Sequence, residues 1–228
     1  YMNREWSNAI DNVPYNVIIK DGNEIVDESE IFTYKNGSHS AFSNYFRFTL
    51  LYKKGGYWVD LDMIALKVFD FDKDYVFSSE RTIQEGAYAS QATYVVNIGV
   101  LKSPPKSEFY KELYEKSLDY NKKGKNNDKL KYMKMLRKLI KKYDYGKYVL
   151  KPHVFCNLDW WHSKEAFMPL IKYKKKYGVP APSINSMFTR PYTVHFWRDR
   201  ITKKYGIDLD ETHDEDCLWE KMITKLKI

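Results

Sequence analysis

Hydrophobic and polar positions follow two periods along this chain, and the helical one is clearest over residues 38–53. There Phe42, Tyr45, Phe46, Thr49 and Leu50 recur at spacings of three and four, which predicts an amphipathic helix with one apolar face. Ser38 or Ser40 is expected to cap its first turn, and Gly55-Gly56 to stop it, because glycine enters the left-handed backbone region without a steric cost. On the same helix Ser43, Asn44 and Arg47 are neighbours at helical spacing, which predicts a small polar cluster beside the apolar face. Two further helices are predicted. One covers 107–120, after Pro104-Pro105, with Phe109, Tyr110, Leu113, Tyr114 and Ser117 on one face; the other covers 130–143, with Met133, Leu136 and Ile140 inward. Short β-branched and aromatic runs at 16–20 (NVIIK, ending at Asp21-Gly22), 57–60, 75–78 and 93–96 read as strands. Helices interleaved with short strands predict an α/β domain. No internal repeat and no Gly, Ser or Pro tract interrupts the pattern, so residues 1–228 are expected to form a single domain.

Composition adds class and charge to this picture. With 228 residues, 43% of them hydrophobic and 17% aromatic, the chain can fill a sizeable core, while 30% charged residues keep its surface wet. A soluble globular protein is expected. No run of about 18 apolar residues occurs, and the first residues do not resemble a signal peptide. Cys156 and Cys217 have no metal-ligand spacing and are expected to be reduced, which points to a cytoplasmic setting. The net charge of +8 fits an anionic partner, and much of it lies in the lysine-rich stretch 122–147. A solvated helix face is the first reading of that stretch, a peripheral contact with anionic lipid or polymer the second. Specific nucleic-acid binding ranks last and is not expected.

Candidate chemistry centres on LLYKKGGYWVDLDMIAL, residues 50–66. In an extended segment residues two apart share a face, so Asp60 and Asp62 would project together while Leu61 points into the core. Two adjacent carboxylates repel unless a cation neutralises them, and Mg²⁺ or Mn²⁺ meets that need with oxygen ligands while leaving positions for phosphate oxygens. Strand ends in open α/β sheets are where ligands are expected. A lone Asp-x-Asp also fits a metal-dependent phosphatase or nucleotidyltransferase, and the basic helix fits a module that binds anionic polymer. Neither of these accounts for the helix and Gly-Gly upstream.

SAFSNYFRFTLLYKKGGYWVDLDMIAL, residues 40–66, closely resembles the DxD-containing sugar-binding region of glycosyltransferase family 32 and its relatives, including the large clostridial glucosylating toxins. Those families carry a helix with Ser-Asp-x-x-Arg, then Leu-x-x-x-Gly-Gly, an aromatic residue and Asp-x-Asp. VVNIGVLKSPPKSEFY (95–110) and TVHFWRD (193–199) are similar to later elements of the same families. The resemblance implies a GT-A fold, a Rossmann-like nucleotide-sugar-binding sheet with flanking helices. It also implies transfer of a hexose, with retention of configuration, from a nucleotide-sugar donor to a glycan, lipid-linked or protein acceptor, as in polysaccharide biosynthesis, with a UDP-sugar the favoured donor.

By the same resemblance Asp60 and Asp62 hold Mn²⁺ or Mg²⁺, with Asp62 the direct ligand and His195 completing the shell or touching the diphosphate. Arg47, Asp60 and Asn97 carry the catalytic roles, and Ser43, Asn44, Trp58 and Trp197 join them in binding substrate. Two positions depart from the pattern: Asn44 stands where Asp is usual, and Trp58 where Tyr is common. The sequence before the DxD is also short for a complete base-binding unit, so part of the N-terminal nucleotide-binding unit is expected to be missing, with Trp6 a remote candidate for stacking on the base.

Overall fold

The structure is a computed structural model that describes residues 17–34, 37–84, 91–122, 130–177 and 190–226. In chain order its elements are α1 (Ser40–Lys54), β1 (Gly56–Val59), β2 (Met63–Ala65), β3 (Val76–Thr82), β4 (Thr93–Ser103), α2 (Glu108–Lys122), α3 (Lys131–Lys142), α4 (Pro152–Phe155), α5 (Leu170–Tyr177), β5 (Thr193–His195), α6 (Arg198–Tyr205) and α7 (Leu218–Leu226), with short 3₁₀ turns between them. Three strands form a sheet in the order β1-β4-β3, and β2 pairs with β5 in a second sheet. The mixed α/β class read from the sequence is therefore correct. The chain divides into two compact units, residues 1–57 with 102–144 and residues 58–101 with 145–228. No helix among the described residues is long and apolar enough to cross a membrane.

The first unit is built on α1, α2 and α3. Phe42, Tyr45, Phe48 and Leu51 of α1 are buried with Phe109, Tyr110 and Leu113 of α2 and with Tyr132, Leu136 and Leu139 of α3. Aromatic rings make the joints. Phe48 lies 6.4 Å from Tyr110 and 6.3 Å from Tyr132 between ring centroids, and Tyr45 stacks on Tyr114 at 6.0 Å. Such pairs add to the burial of area, at about 0.5–1.5 kcal/mol each. Phe46, Leu50 and Met133 are only half-buried, a rotation of the predicted faces by one position.

Helix ends follow local rules with one amendment. Ser107 Oγ accepts the Tyr110 N–H at 3.3 Å, an N-terminal cap of α2. At α1 the N-cap is His39 without a side-chain bond; Ser38 Oγ instead accepts the Ser40 N–H at 3.3 Å. Gly55 ends α1 at φ 68° and ψ −156°, with its N–H on Leu51 O.

The strand expected at 16–20 does not form. Asn16 lies outside the described residues, and Val17, Ile18 and Ile19 are exposed, Ile18 at 79%. A strand holds only when its backbone groups find partners; this run enters neither sheet, and Asp21 caps a 3₁₀ turn directly after it.

The second unit holds both DxD aspartates. One part of its core gathers Val76, Phe77, Val100, Leu101 and Phe155, all buried. Another gathers Leu158, Ala166, Val194, Phe196, Ile201, Leu218 and Met222, against which Ile64, Leu66 and Trp219 pack. Cys156 and Cys217 are buried free thiols, as expected.

An ion pair ties β3 to the segment before Trp160: Arg81 Nε donates to Asp159 Oδ1 at 2.8 Å and its Nη2 to Oδ2. The Asp159 side chain is 3% exposed while that of Arg81 is 41% exposed, so solvent screens one partner only. Removing the guanidinium would strand a buried carboxylate. Arg81→Met is expected to lower stability by about 2 kcal/mol, short of the fully buried case because of that screening, and urea unfolding checks it.

Candidate functional site

The DxD lies in a turn. β1 ends at Val59, the Asp60 N–H donates to Gly99 O at 2.8 Å, and the Met63 N–H closes back onto Asp60 O at 3.2 Å. The alternation argued for an extended segment therefore does not hold here. Leu61, expected to point into the core, is fully exposed at 105%, because the turn carries it outward between the two acids. Each aspartate has its own set of partners.

Asp60 is fixed by Trp58, whose Nε1–H donates to Oδ1 at 2.8 Å. Its other oxygen faces the bare Cα of Gly99, where an added Cβ would lie 3.6 Å from Oδ2 and 3.2 Å from Met63 Sδ. A side chain at this point of β4 would touch the carboxylate only at ordinary contact distance and would press on the Met63 sulfur.

Asp62 is placed by the small sheet. Antiparallel pairing of β2 with β5 sets Met63 opposite His195, and the Phe196 N–H donates to Asp62 O at 3.0 Å. That register brings His195 Nε2 to 3.2 Å from the Asp62 carboxylate, and the Arg198 N–H at the start of α6 donates to Asp62 Oδ2 at 3.0 Å. Burial alone would raise the Asp62 pKa, but the His195 hydrogen bond and charge and the Arg198 N–H outweigh it, and the carboxyl titrates below its ordinary value. His195 is buried, which opposes its charge, yet its bond to Asp62 and the nearby Cys156 sulfur raise its pKa to about 10. Trp197 stacks on the same imidazole, centroids 3.8 Å apart, and donates its Nε1–H to Leu158 O at 2.8 Å. Trp197 holds φ at +58°, the left-handed region that a bulky residue seldom adopts, so the position of its ring is imposed by these contacts.

Asn97 stands at the centre of a buried polar cluster. Its Oδ1 accepts from Ser78 Oγ and from the Gly99 N–H at 3.2 Å, and its Nδ2 donates to Glu80 Oε2 and faces Cys156 Sγ, each at 3.1 Å. Cys156 Sγ is in turn 3.9 Å from His195 Nδ1. A chain of polar contacts thus runs from Asp62 through His195 and Cys156 to Asn97 and Glu80.

A cavity of about 400 Å³ opens beside this chain, lined by Asp62, Glu80, Thr82, Trp160, Trp197, Asp199 and Arg200. The Arg200 guanidinium lies 4.2 Å from the Trp160 ring centroid, and its Nε is buried with no hydrogen-bond partner. Within one unit the structure therefore brings together Asp60, Asp62, Trp58, Asn97, His195 and Trp197 from the predicted set. It adds Glu80, Cys156, Trp160 and Arg200, which no local pattern marks. Ser43, Asn44 and Arg47 lie in the first unit. There the polar cluster predicted on α1 forms, with Arg47 buried and its Nε and Nη2 within 3.4 Å and 3.3 Å of Ser43 O and Oγ. Trp6 lies outside the described residues.

Among the described residues no group of three or more His, Cys, Asp and Glu side chains is arranged as a metal cage. Magnesium-type sites that act on diphosphates use one or two carboxylates and leave the other positions to phosphate oxygens and water. Asp62, kept ionised on the cavity wall with its side chain 23% exposed, fits that kind of site. A protonated His195 has no lone pair to offer a metal. In this arrangement it holds Asp62, and it can become a ligand only on losing its proton.

Residues 4–85 match the family model described as a glycosyltransferase sugar-binding region containing a DXD motif. The match includes Ser43, Asn44, Arg47, Trp58, Asp60 and Asp62 and stops before Asn97, His195 and Trp197. No curated protein and no solved structure matches the chain. The match supports a glycosyltransferase-type sugar-binding region with a DXD motif, and Asp60–Asp62 lies within the matched residues.

Proposed function

We propose that the protein is a retaining glycosyltransferase of GT-A type that moves a hexose from a nucleotide-sugar, with a UDP-sugar the favoured donor, to a hydroxyl of a glycan, lipid-linked or protein acceptor. One observation carries this reading: an ionised Asp62, held from β5 and α6, opens onto a cavity that also presents a cation, two further carboxylates and two indole rings. That mixture suits a sugar diphosphate, whose anionic end needs positive charge and whose pyranose needs hydroxyl partners and flat apolar surface.

Mn²⁺ or Mg²⁺ held by Asp60 and Asp62 would neutralise the diphosphate and stabilise charge on its leaving oxygen. The chain's own residues do the rest. Arg200, stacked on Trp160 and with an unused donor, is a second source of positive charge for a phosphate oxygen. Glu80, oriented by the Asn97 amide, can accept from a sugar hydroxyl. Trp197 is a wall of the cavity and also keeps His195 against Asp62. Arg47, with Ser43 and Asn44, is assigned to the transferred sugar on the strength of the family pattern. For retention, the acceptor hydroxyl approaches on the leaving-group side and the departing phosphate oxygen takes its proton, so no base from the protein is needed.

Turnover of a panel of UDP- and GDP-sugars, with and without Mn²⁺, tests the reading. Metal-dependent release of nucleotide from at least one sugar donor is expected, and failure of every donor to bind would refute it. Arg200→Met is expected to raise the KM for that donor about tenfold with a smaller change in kcat, the scale of one charge-assisted hydrogen bond. An unchanged KM would remove Arg200 from the donor site.

A further inference from the structure

A second cavity among the described residues takes no part in this chemistry. It is a groove of about 800 Å³ between α2 and α3 in the first unit. Along α3 it is lined by Lys131, Lys134, Met135, Lys138, Leu139 and Lys142, and along α2 by Glu112, Lys116, Asp119 and Tyr120. Each set repeats at three-and-four spacing, so one stripe of each helix faces the groove. Among the described residues that line it, five lysines against two acids leave +3 by formal charge.

The groove is layered. Leu139 and Tyr120 are buried at its base and Met135 is half-buried beside them, with the Ser117 hydroxyl 4.0 Å from the Met135 sulfur. Lys116, Lys134, Lys138 and Lys142 stand exposed on the rim. Part of the rim charge is spent within the protein: Lys142 lies 2.7 Å and Lys116 3.5 Å from the Glu112 carboxylate. Lys131 lies over the Tyr120 ring at 5.5 Å.

We propose that this groove docks the protein on a membrane surface that contains anionic phospholipid, with headgroup phosphates on the lysine rim and the first acyl methylenes against Met135, Leu139 and Tyr120. Two features favour lipid over a soluble polyanion. The base is apolar, which suits an amphiphile and would be left uncovered by a purely hydrophilic polymer. The rim carries lysines, hydrated point charges on long apolar stems that reach toward an interface while covering apolar surface, and no arginine fork for a single phosphate lines it among the described residues. Each lysine near such a surface adds a similar increment of attraction that weakens as salt screens it.

Flotation of the full chain with phosphatidylcholine vesicles, with and without phosphatidylglycerol, tests the proposal. Binding is expected only to the anionic vesicles and should fall at least about tenfold in the double variant Lys134→Glu/Lys138→Glu. Met135→Gln, which leaves the charge untouched, should weaken it several-fold. Both variants should keep the wild-type circular dichroism spectrum and the wild-type rate of donor turnover. Equal binding to neutral vesicles, undiminished binding by the double variant, or an effect of salt with none from Met135→Gln would each overturn the proposal. Soluble polyphosphate that displaces the protein as well as anionic vesicles do would assign the groove to a polyanion instead. Vesicle binding does not depend on the donor site, so the two assignments stand or fall separately.

Discussion

Asp62→Asn should abolish metal-dependent turnover of the nucleotide-sugar, by about a hundredfold or more, while leaving the fold in place. The side chain keeps its shape, and its remaining oxygen can still accept the Arg198 N–H, so the turn between β1 and β2 has no steric reason to move. What disappears is the negative charge that faces the cavity. That charge is maintained at a cost: burial opposes it, and the structure sustains it with His195 and a backbone N–H. A stability effect is expected too, and its sign can be worked out. The raised His195 pKa means that its ion pair with Asp62 stabilises the native state below the unfolded histidine pKa near 6.5, and that this contribution fades as pH rises toward about 10. The lowered Asp62 pKa means that its share is present above the ordinary carboxylate range and is lost in acid. Asp62→Asn removes both contributions, so the variant's stability should vary less with pH than the wild type's between pH 7 and 10. Kinetics with Mn²⁺, paired with urea unfolding at several pH values, reads both effects. A variant with wild-type turnover would end the assignment of Asp62.

The second large effect is expected at Gly55. Gly55 closes α1 with φ at +68° and ψ at −156°, a conformation that side chains strongly disfavour. A Cβ placed there would meet Pro105 N at 2.5 Å and Pro105 Cδ at 2.8 Å, closer than packed atoms approach. The obstruction is the backbone and ring of the Pro104-Pro105 turn, which the Lys106 N–H also ties to Tyr52 O at 2.7 Å, so it has little freedom to yield. Gly55→Ala should therefore cost about 3 kcal/mol or more, and lower the melting temperature by about 10 °C for a chain of this size. Gly56 is a control: its φ is also positive, but nothing lies within 4 Å of an added Cβ, so Gly56→Ala should cost less. Equal melting temperatures for the two variants would show that the clash with the proline turn does not matter.

Gly55 also shows what the sequence made legible. The stop signal after an apolar helical period was plain at Gly55-Gly56, whereas the proline turn as the neighbour that forbids a side chain is a tertiary fact. The same division runs through the molecule. Helices α1, α2 and α3 were readable because a face of large aromatics at three-and-four spacing has few other ways to be buried. The β2–β5 ladder was not, since two strands of three residues carry no usable period, and it is this ladder that delivers His195 to Asp62. Alternation gave the wrong direction for Leu61 because it presumes an extended chain, and the backbone turns there. It also failed at Val17–Ile19, where β-branched residues have the propensity for a strand but find no strand to pair with among the described residues.

Of the site, Asp60 and Asp62 stood out as an acid pair, and the family pattern pointed to Trp58, Asn97, His195 and Trp197. Glu80, the stretch from Cys156 to Trp160, and Arg200 come from three separate segments and meet only through packing, so no spacing rule could have found them. The amide of Asn97 illustrates the difference between a position and a role. The sequence pattern assigned it to the sugar, and in the structure it is occupied with Ser78, Glu80, Gly99 and Cys156.

The central claim is that the DxD turn binds a divalent cation together with a nucleotide diphosphate. Electron paramagnetic resonance of Mn²⁺ reads this without turnover, because the signal of the free hexaaquo ion is lost when the ion is bound. The wild-type protein with UDP is expected to remove that signal more completely than UDP or protein alone, and Asp62→Asn to restore it to the level of UDP alone. A Mn²⁺ signal with UDP that is the same whether or not the wild-type protein is present would contradict the account.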